Sequence, residues 1–171
     1  SLIDNHNLNL KFSDLDIASV VENVTSIFSL KVQQNGGEII TRLEAAKDGI
    51  YADEMHFTNV IYNLLDNAVK YKRNDVPLRL EIHTFNPSPH KVCVSITDNG
   101  IGIASDALRH VFDRFYRVST GDKHDVKGFG LGLAYVKAIV DHHRGSINCE
   151  STLGRGTTFT ITLPVIEEEE A

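Results

Sequence analysis

The chain has 171 residues, 42% of them hydrophobic and 23% charged, which suits one domain with a sizeable core and excludes intrinsic disorder. A net charge of −6 argues against a nucleic-acid partner, although residues 167–170 are all Glu and leave the body of the chain only mildly acidic. No apolar run spans a bilayer, no signal-like segment opens the chain, and Cys93 and Cys149 lack a C-x-x-C spacing, so both read as reduced packing residues of a cytoplasmic domain.

In chain order, residues 1–7 are polar and read as a linker, and the start without Met suggests excision from a longer protein, itself free to carry an inner-membrane anchor. Leu8, Leu10 and Phe12 then alternate with polar residues as in a half-buried strand. Ser13 or Asp14 can cap a helix over 15–33, where Ile17, Val20, Val21, Val24, Ile27, Phe28 and Val32 form one apolar stripe ended by Gly36-Gly37. Ile39, Ile40 and Leu43 predict a strand, and Gly49-Ile50-Tyr51-Ala52 a shorter one before Asp53 caps the next helix. That helix buries Phe57, Val60, Ile61, Leu64, Leu65 and Ala68. Asn63, Asn67, Lys70 and Tyr71 recur at the same spacing about 60° further round, using ~100° per residue. Two amides at the edge of a core call for polar partners, since an unsatisfied buried amide costs ~1–3 kcal/mol, yet an isolated N-x-x-x-N pair on its own favours a solvated face.

Leu78, Leu80 and Ile82 predict a strand with one wet face, Asn86-Pro87-Ser88-Pro89 a turn, and Val92, Val94 and Ile96 the second arm of a hairpin. A short helix is expected over 105–111, a helix over 131–143 with Leu131, Ala134, Tyr135, Ala138, Ile139 and His142 on one face, and two last strands joined by Leu153-Gly154-Arg155-Gly156. The irregular stretch 99–130 is long for a passive loop. The pattern implies an α+β class, an α/β sandwich with three helices on one face of a mixed, mostly antiparallel sheet.

Three features carry chemistry. Asp98 shares parity with Val92, Val94 and Ile96, so an acid ends a core-facing row, placed to accept from a donor such as a purine amine. Gly100 and Gly102 after it allow backbone to approach a flat ligand. Gly128-Phe129-Gly130-Leu131-Gly132-Leu133 leads into a helix whose free N–H groups could face phosphates, and its spacing fits neither a Rossmann turn nor a P-loop. His142-His143 point apart and read as packing and capping residues rather than a metal pair.

Together these stretches resemble the ATP-binding catalytic domain of two-component sensor histidine kinases, within the Bergerat-type ATPase group. Residues 63–71 look like its asparagine box and 98–103 like its first glycine box. Phe112-Asp113-Arg114-Phe115-Tyr116-Arg117 resembles its phenylalanine box, 128–133 its second glycine box, and Gly154-Arg155-Gly156-Thr157 its closing turn. The resemblance implies a five-stranded Bergerat fold over 8–165 with an ATP lid at about 99–130, and an acidic tail at 166–171. It implies Mg²⁺ on Asn67 with Asn63 in support, phosphate and nucleotide contacts from Lys70 and Tyr71, and the adenine amine on Asp98. Gly100, Gly102 and Ile103 would shape the base pocket with Thr157 assisting, while Gly128, Gly130, Leu131, Gly132 and Leu133 would form the lid and its phosphate contacts. Arg114 would stabilise the transferring γ-phosphoryl group, with Arg117 a weaker candidate.

The partners it implies are a helical dimerisation domain carrying the acceptor histidine, absent here, and a response regulator receiver domain. The parent would be a homodimer and the fragment alone a monomer. Two alternatives stay open at this point: an ATP-gated interaction module without catalysis, and a serine-directed anti-sigma-type kinase of the same fold.

Overall fold

The computed structural model describes residues 9–113 and 132–167. Its elements in order are β1 (Phe12–Asp16), α1 (Ile17–Gln34), β2 (Glu38–Leu43), β3 (Gly49–Asp53), α2 (Glu54–Lys70), β4 (Arg79–Ser88), β5 (Lys91–Asp98), α3 (Ser105–Leu108), α4 (Gly132–His142), β6 (Ser146–Thr152) and β7 (Gly156–Pro164). Five strands form one sheet in the order β2-β4-β5-β7-β6, and β1 pairs with β3 in a separate two-stranded ribbon. Among the described strands only the β2–β4 pair is parallel, which the intervening helix α2 makes possible, because parallel neighbours need a long crossover. The α+β class with a mostly antiparallel five-stranded sheet is therefore the one expected.

Alternation decides which side of the sheet is dry. Leu80 and Ile82 of β4, Val92, Val94 and Ile96 of β5, and Phe159, Ile161 and Leu163 of β7 face one way. Against them pack Val21, Val24 and Phe28 of α1, Val60, Ile61, Leu64 and Leu65 of α2, and Val136, Ile139 and Val140 of α4. At about 1.5–3 kcal/mol for each large side chain removed from water, this layer supplies the main drive to fold.

Several boundaries differ from the sequence reading. The first helix starts at Ile17, not Leu15, because Phe12–Asp16 pairs with Asp53–Gly49. Neither Ser13 nor Asp14 caps it; the Ala18 N–H donates to the Asp48 carboxylate at 2.8 Å and the Ile17 N–H to the Asp48 carbonyl at 3.1 Å. Ile27, assigned to its buried stripe, is 65% exposed. Asn86-Pro87-Ser88 belongs to β4, whose register slips between Phe85 and Ser88, so the hairpin turns at Pro89-His90. The helix expected over 105–111 closes at Leu108. On α4 the buried face includes Val136 and Val140, while His142 is exposed and His143 is buried.

Asp53 does cap α2, accepting the His56 N–H at 2.9 Å. Its second oxygen takes the Lys11 N–H at 2.8 Å, and its own N–H donates to His143 Nε2 at 3.0 Å. Burial pushes this carboxyl up, but the two backbone donors more than offset that and hold it below its usual range. One capping residue thus ties β1, α2 and the end of α4 together.

Candidate functional site

The end of α2 fixes the geometry. Tyr71 is its C-cap, and the Tyr71 carbonyl accepts the Ile101 N–H at 3.0 Å, which draws the turn after β5 onto the helix. A Cβ at Gly100 would lie 2.5 Å from that carbonyl, so this approach needs glycine. Asp98, the last residue of β5, is mostly buried beside it and opposes Thr157 in the β5–β7 register. The Asp98 carboxylate accepts the Gly100 N–H at 2.8 Å and also the Thr157 N–H. Burial nevertheless pushes its pKa up to about 6. A carboxylate held at this expense, in the absence of a cation beside it among the described residues, is suited to a ligand that donates hydrogen bonds.

The floor is the β6–β7 turn. The Ile103 N–H donates to Ser151 Oγ at 2.7 Å, and the Gly154 N–H to the Ile101 carbonyl at 2.7 Å. Gly102 has φ +73° and a Cβ there would overlap the Thr152 carbonyl; at Gly156, with φ +135°, it would overlap the Asp98 carbonyl. These two glycines let the loops interlock. Asn99 pins the near rim, accepting the Arg79 N–H at 2.8 Å and donating to the Pro77 carbonyl at 2.9 Å, so it serves the fold. Cys149 lies close enough for the Asp98 charge to reach it. Burial first, then that charge, pushes its thiol up to about 12, so Cys149 is a poor nucleophile; neither it nor Cys93 is in a disulfide.

From Tyr71 the helix α2 runs back past Asn67 and Asn63, about 6 and 12 Å away at ~1.5 Å per residue. Both are half-buried. Asn63 Nδ2 donates to the Asn59 carbonyl at 2.8 Å, whereas the Asn67 amide has no hydrogen-bond partner among the described residues. Lys70 pairs with Asp66 at 2.8 Å, and Lys31 of α1 reaches the same carboxylate at 3.1 Å. Burial raises the Asp66 pKa, but hydrogen bonds from Lys70 and Lys31 more than reverse this.

Helix α4 approaches this wall at its N-terminal end. Tyr135 OH lies 2.6 Å from His56 Nδ1 and bonds the Asn59 side chain, so the first turn of α4, with Gly132 and Leu133, is fastened one turn before Asn63. Of the expected site, Asn63, Asn67, Lys70 and Tyr71 lie along the second half of α2, Asp98, Gly100, Gly102, Ile103 and Thr157 come together at the ends of β5 and β7, and Gly132 and Leu133 lie in the turn of α4 before Tyr135; Arg114, Gly128, Gly130 and Leu131, with Arg117, lie outside the described residues. The sequence reading passed over Ser151, Asn59, His56 and Tyr135. Ser151 had a readable signal: it ends the inward row Ile147, Cys149, Ser151 as Asp98 ends its own.

A family model described as histidine kinase-, DNA gyrase B-, and HSP90-like ATPase matches residues 52–167, taking in every site residue named above. The chain belongs to this ATPase family. Within it, the chain is a catalytic ATP-binding domain of the sensor histidine kinase type. It is 51% identical over 169 residues to the sensor protein RprX of Bacteroides fragilis, covering 99% of this chain and 32% of that protein. It is 44% identical over 119 residues to the sensor protein kinase WalK of Staphylococcus aureus, covering 68% of this chain and 28% of that one. The chain thus spans about a third or less of these curated relatives. The structure of full-length ShkA in complex with AMPPNP superposes with a TM-score of 0.79 at 26% identity, over 95% of this chain and 33% of that one. No helix of the described residues is long and apolar enough to cross a membrane.

Proposed function

We propose that the chain binds Mg²⁺–ATP and transfers the γ-phosphoryl group to a histidine on a helical dimerisation domain of its parent protein, which then passes it to a response regulator. The observation that carries this is the mostly buried Asp98, ending an apolar row at the foot of the helix that bears Asn63 and Asn67. Its carboxylate would take the adenine amine, with Gly100, Gly102, Ile103 and Thr157 enclosing the base. The phosphates would then run along α2, past Lys70 and Tyr71, toward Asn67, Asn63 and the N-terminus of α4.

Asn67 fits Mg²⁺: its amide oxygen is half-buried with no partner among the described residues, and hard cations take few protein oxygens when phosphates complete the shell. No cluster of three His, Cys, Asp or Glu side chains competes for a metal among the described residues. Bound Mg²⁺ would neutralise charge on the phosphate oxygens. Arg114, two positions after Phe112 in its motif, would meet the charge that develops on the transferring group. Gly128, Gly130, Leu131, Gly132 and Leu133 would form the lid and present backbone to the phosphates. In the parent, residues 1–7 would lead from the acceptor domain, 8–165 would form the catalytic unit with its lid at about 99–130, and 166–171 would be an acidic tail. The parent would act as a homodimer with its catalytic domain in the cytoplasm, and the fragment alone would be a monomer.

The deciding experiment mixes the chain with ATP, Mg²⁺ and the parent's helical domain. Acid-labile phosphohistidine is the expected product. ATP binding without any such product, or an acid-stable phosphoserine, would overturn the reading. Arg114→Ala should slow the transfer with only a modest loss of ATP affinity; equal effects on both would remove its assignment to the transition state.

A further inference from the structure

We propose that Ser151 sets the base specificity of this pocket by fixing the Thr157 hydroxyl as a hydrogen-bond acceptor, a role that rests on the adenine-site reading above. Ser151 Oγ has three close partners. It receives the Ile103 N–H at 2.7 Å, donates to the Gly156 carbonyl at 2.8 Å, and lies 2.8 Å from Thr157 Oγ1. A hydroxyl has one proton and two lone pairs. The Gly156 carbonyl can only accept, so the Ser151 proton is committed to it. The Ile103 N–H occupies one lone pair. The remaining contact must then use the Thr157 proton, directed at Ser151, and Thr157 keeps only lone pairs for a ligand.

The neighbour of that hydroxyl is Asp98. The two residues are directly opposed in the antiparallel β5–β7 pair, so their side chains stand on the same face about 5 Å apart at Cβ. When ionised, Asp98 is also an acceptor only, and its existing partners, the Gly100 and Thr157 N–H groups, are fixed by the backbone. Two acceptors side by side suit a 6-amino purine, whose exocyclic nitrogen offers two protons. A 6-oxo purine turns a lone pair toward the same pair, so neither acceptor finds a donor at position 6. Asp98 alone gives one such discriminator; Ser151, acting through Thr157, gives the second. Ser151 is thereby a positioning residue.

The test compares ADP with inosine diphosphate, which shares the sugar and phosphates and differs at purine position 6 and in the proton this places on N1. Dissociation constants are measured by calorimetry for the wild type, Ser151→Ala, Thr157→Val, the double variant and Ser151→Thr. Ser151→Ala releases the Thr157 proton to turn toward the ligand, so the preference for ADP should fall about tenfold. Thr157→Val should lower it to a similar degree, and adding Ser151→Ala to Thr157→Val should change it no further. Ser151→Thr, which keeps the hydroxyl, should preserve the preference.

Equal weakening of both nucleotides by Ser151→Ala would mark Ser151 as a structural pin and overturn the proposal, as would an effect on the preference that persists in the Thr157→Val background. If Ser151→Ala does not fold, Ser151→Cys replaces it: its thiol is a weak acceptor, so the preference for ADP should fall in the same direction, and an unaltered preference in Ser151→Cys or in Thr157→Val overturns the proposal. Absence of ADP binding in the wild type would overturn the adenine-site reading and this role with it, whereas normal ADP binding with an unaltered preference removes the Ser151 role alone.

Discussion

The two ends of the proposed nucleotide site are built differently. At the base end nearly every polar group already has a partner: Asp98 is held by two backbone N–H groups, Ser151 by three neighbours, and the loops interlock through Gly100, Gly102 and Gly156. At the phosphate end the side chains hold one another or nothing described, with Lys70 on Asp66, Asn63 on the Asn59 carbonyl, and Asn67 unengaged among the described residues. The base end is preorganised, which favours specificity because little has to be ordered on binding. The phosphate end keeps groups that can change partners, as the proposed admission of a metal and release of a product would require.

That contrast can be tested from its strongest point downward. Asp98→Asn removes the charged acceptor and should weaken ADP binding by about a hundredfold or more, since charge-assisted bonds in buried sites are the strong ones. The same substitution should stabilise the ligand-free chain. A carboxyl at 3.8 when unfolded and about 6 when folded disfavours the folded state by up to about 3 kcal/mol once both are ionised. The sign follows from the folded state holding the proton longer: wild-type stability falls as pH rises from about 4 to about 6, and Asp98→Asn should flatten that fall in urea titrations. An unchanged ADP affinity, or a less stable variant at pH 7.5, would break the preorganised end of the comparison.

Gly156→Ala comes next. Its φ and the overlap with the Asp98 carbonyl predict a loss of about 1–3 kcal/mol, read as a lower Tm and accompanied by weaker ADP binding. Adenosine affinity should also fall about tenfold between pH 7.5 and pH 5, because an acid near 6 is then about ten parts protonated to one. Adenosine carries no phosphate to titrate in that range, so a flat profile would contradict the use of Asp98 as a charged acceptor. At the other end, Asn67→Ala should remove about tenfold of ADP affinity in Mg²⁺ and nothing in chelator, a split that a simple packing defect would not produce.

Much of this contrast could be read from the sequence, and the omissions have physical causes. The stripes of α1 and α2 and the alternation of β4 and β5 follow from periodicity, and these place Asp98 at the end of a core-facing row. Periodicity does not name partners. The pairing of Phe12–Asp16 with β3, the capping of α1 by Asp48 and the parallel seating of β2 on β4 all depend on residues at least 30 positions away. The left-handed residue after α4 is Arg144, φ +58°, while Gly145 is needed for the close approach of the Thr162 carbonyl, a distinction that an Arg-Gly pair does not reveal. Ser151 was legible by the logic that found Asp98, a polar residue closing an apolar row, but its hydroxyl acquires meaning only from three contacts brought together by folding.

The most direct measurement is an amide NMR titration of the chain with ADP, first in chelator and then with Mg²⁺. ADP alone should move the backbone signals of Gly100, Gly102, Ile103 and Thr157, and the Asn67 side-chain amide should respond strongly only when Mg²⁺ is added. Shifts centred instead on the hollow of about 550 Å³ between Phe12, Tyr51, His142 and Ile166, at the opposite end of the sheet, would contradict the account, as would an Asn67 response equally large without the metal.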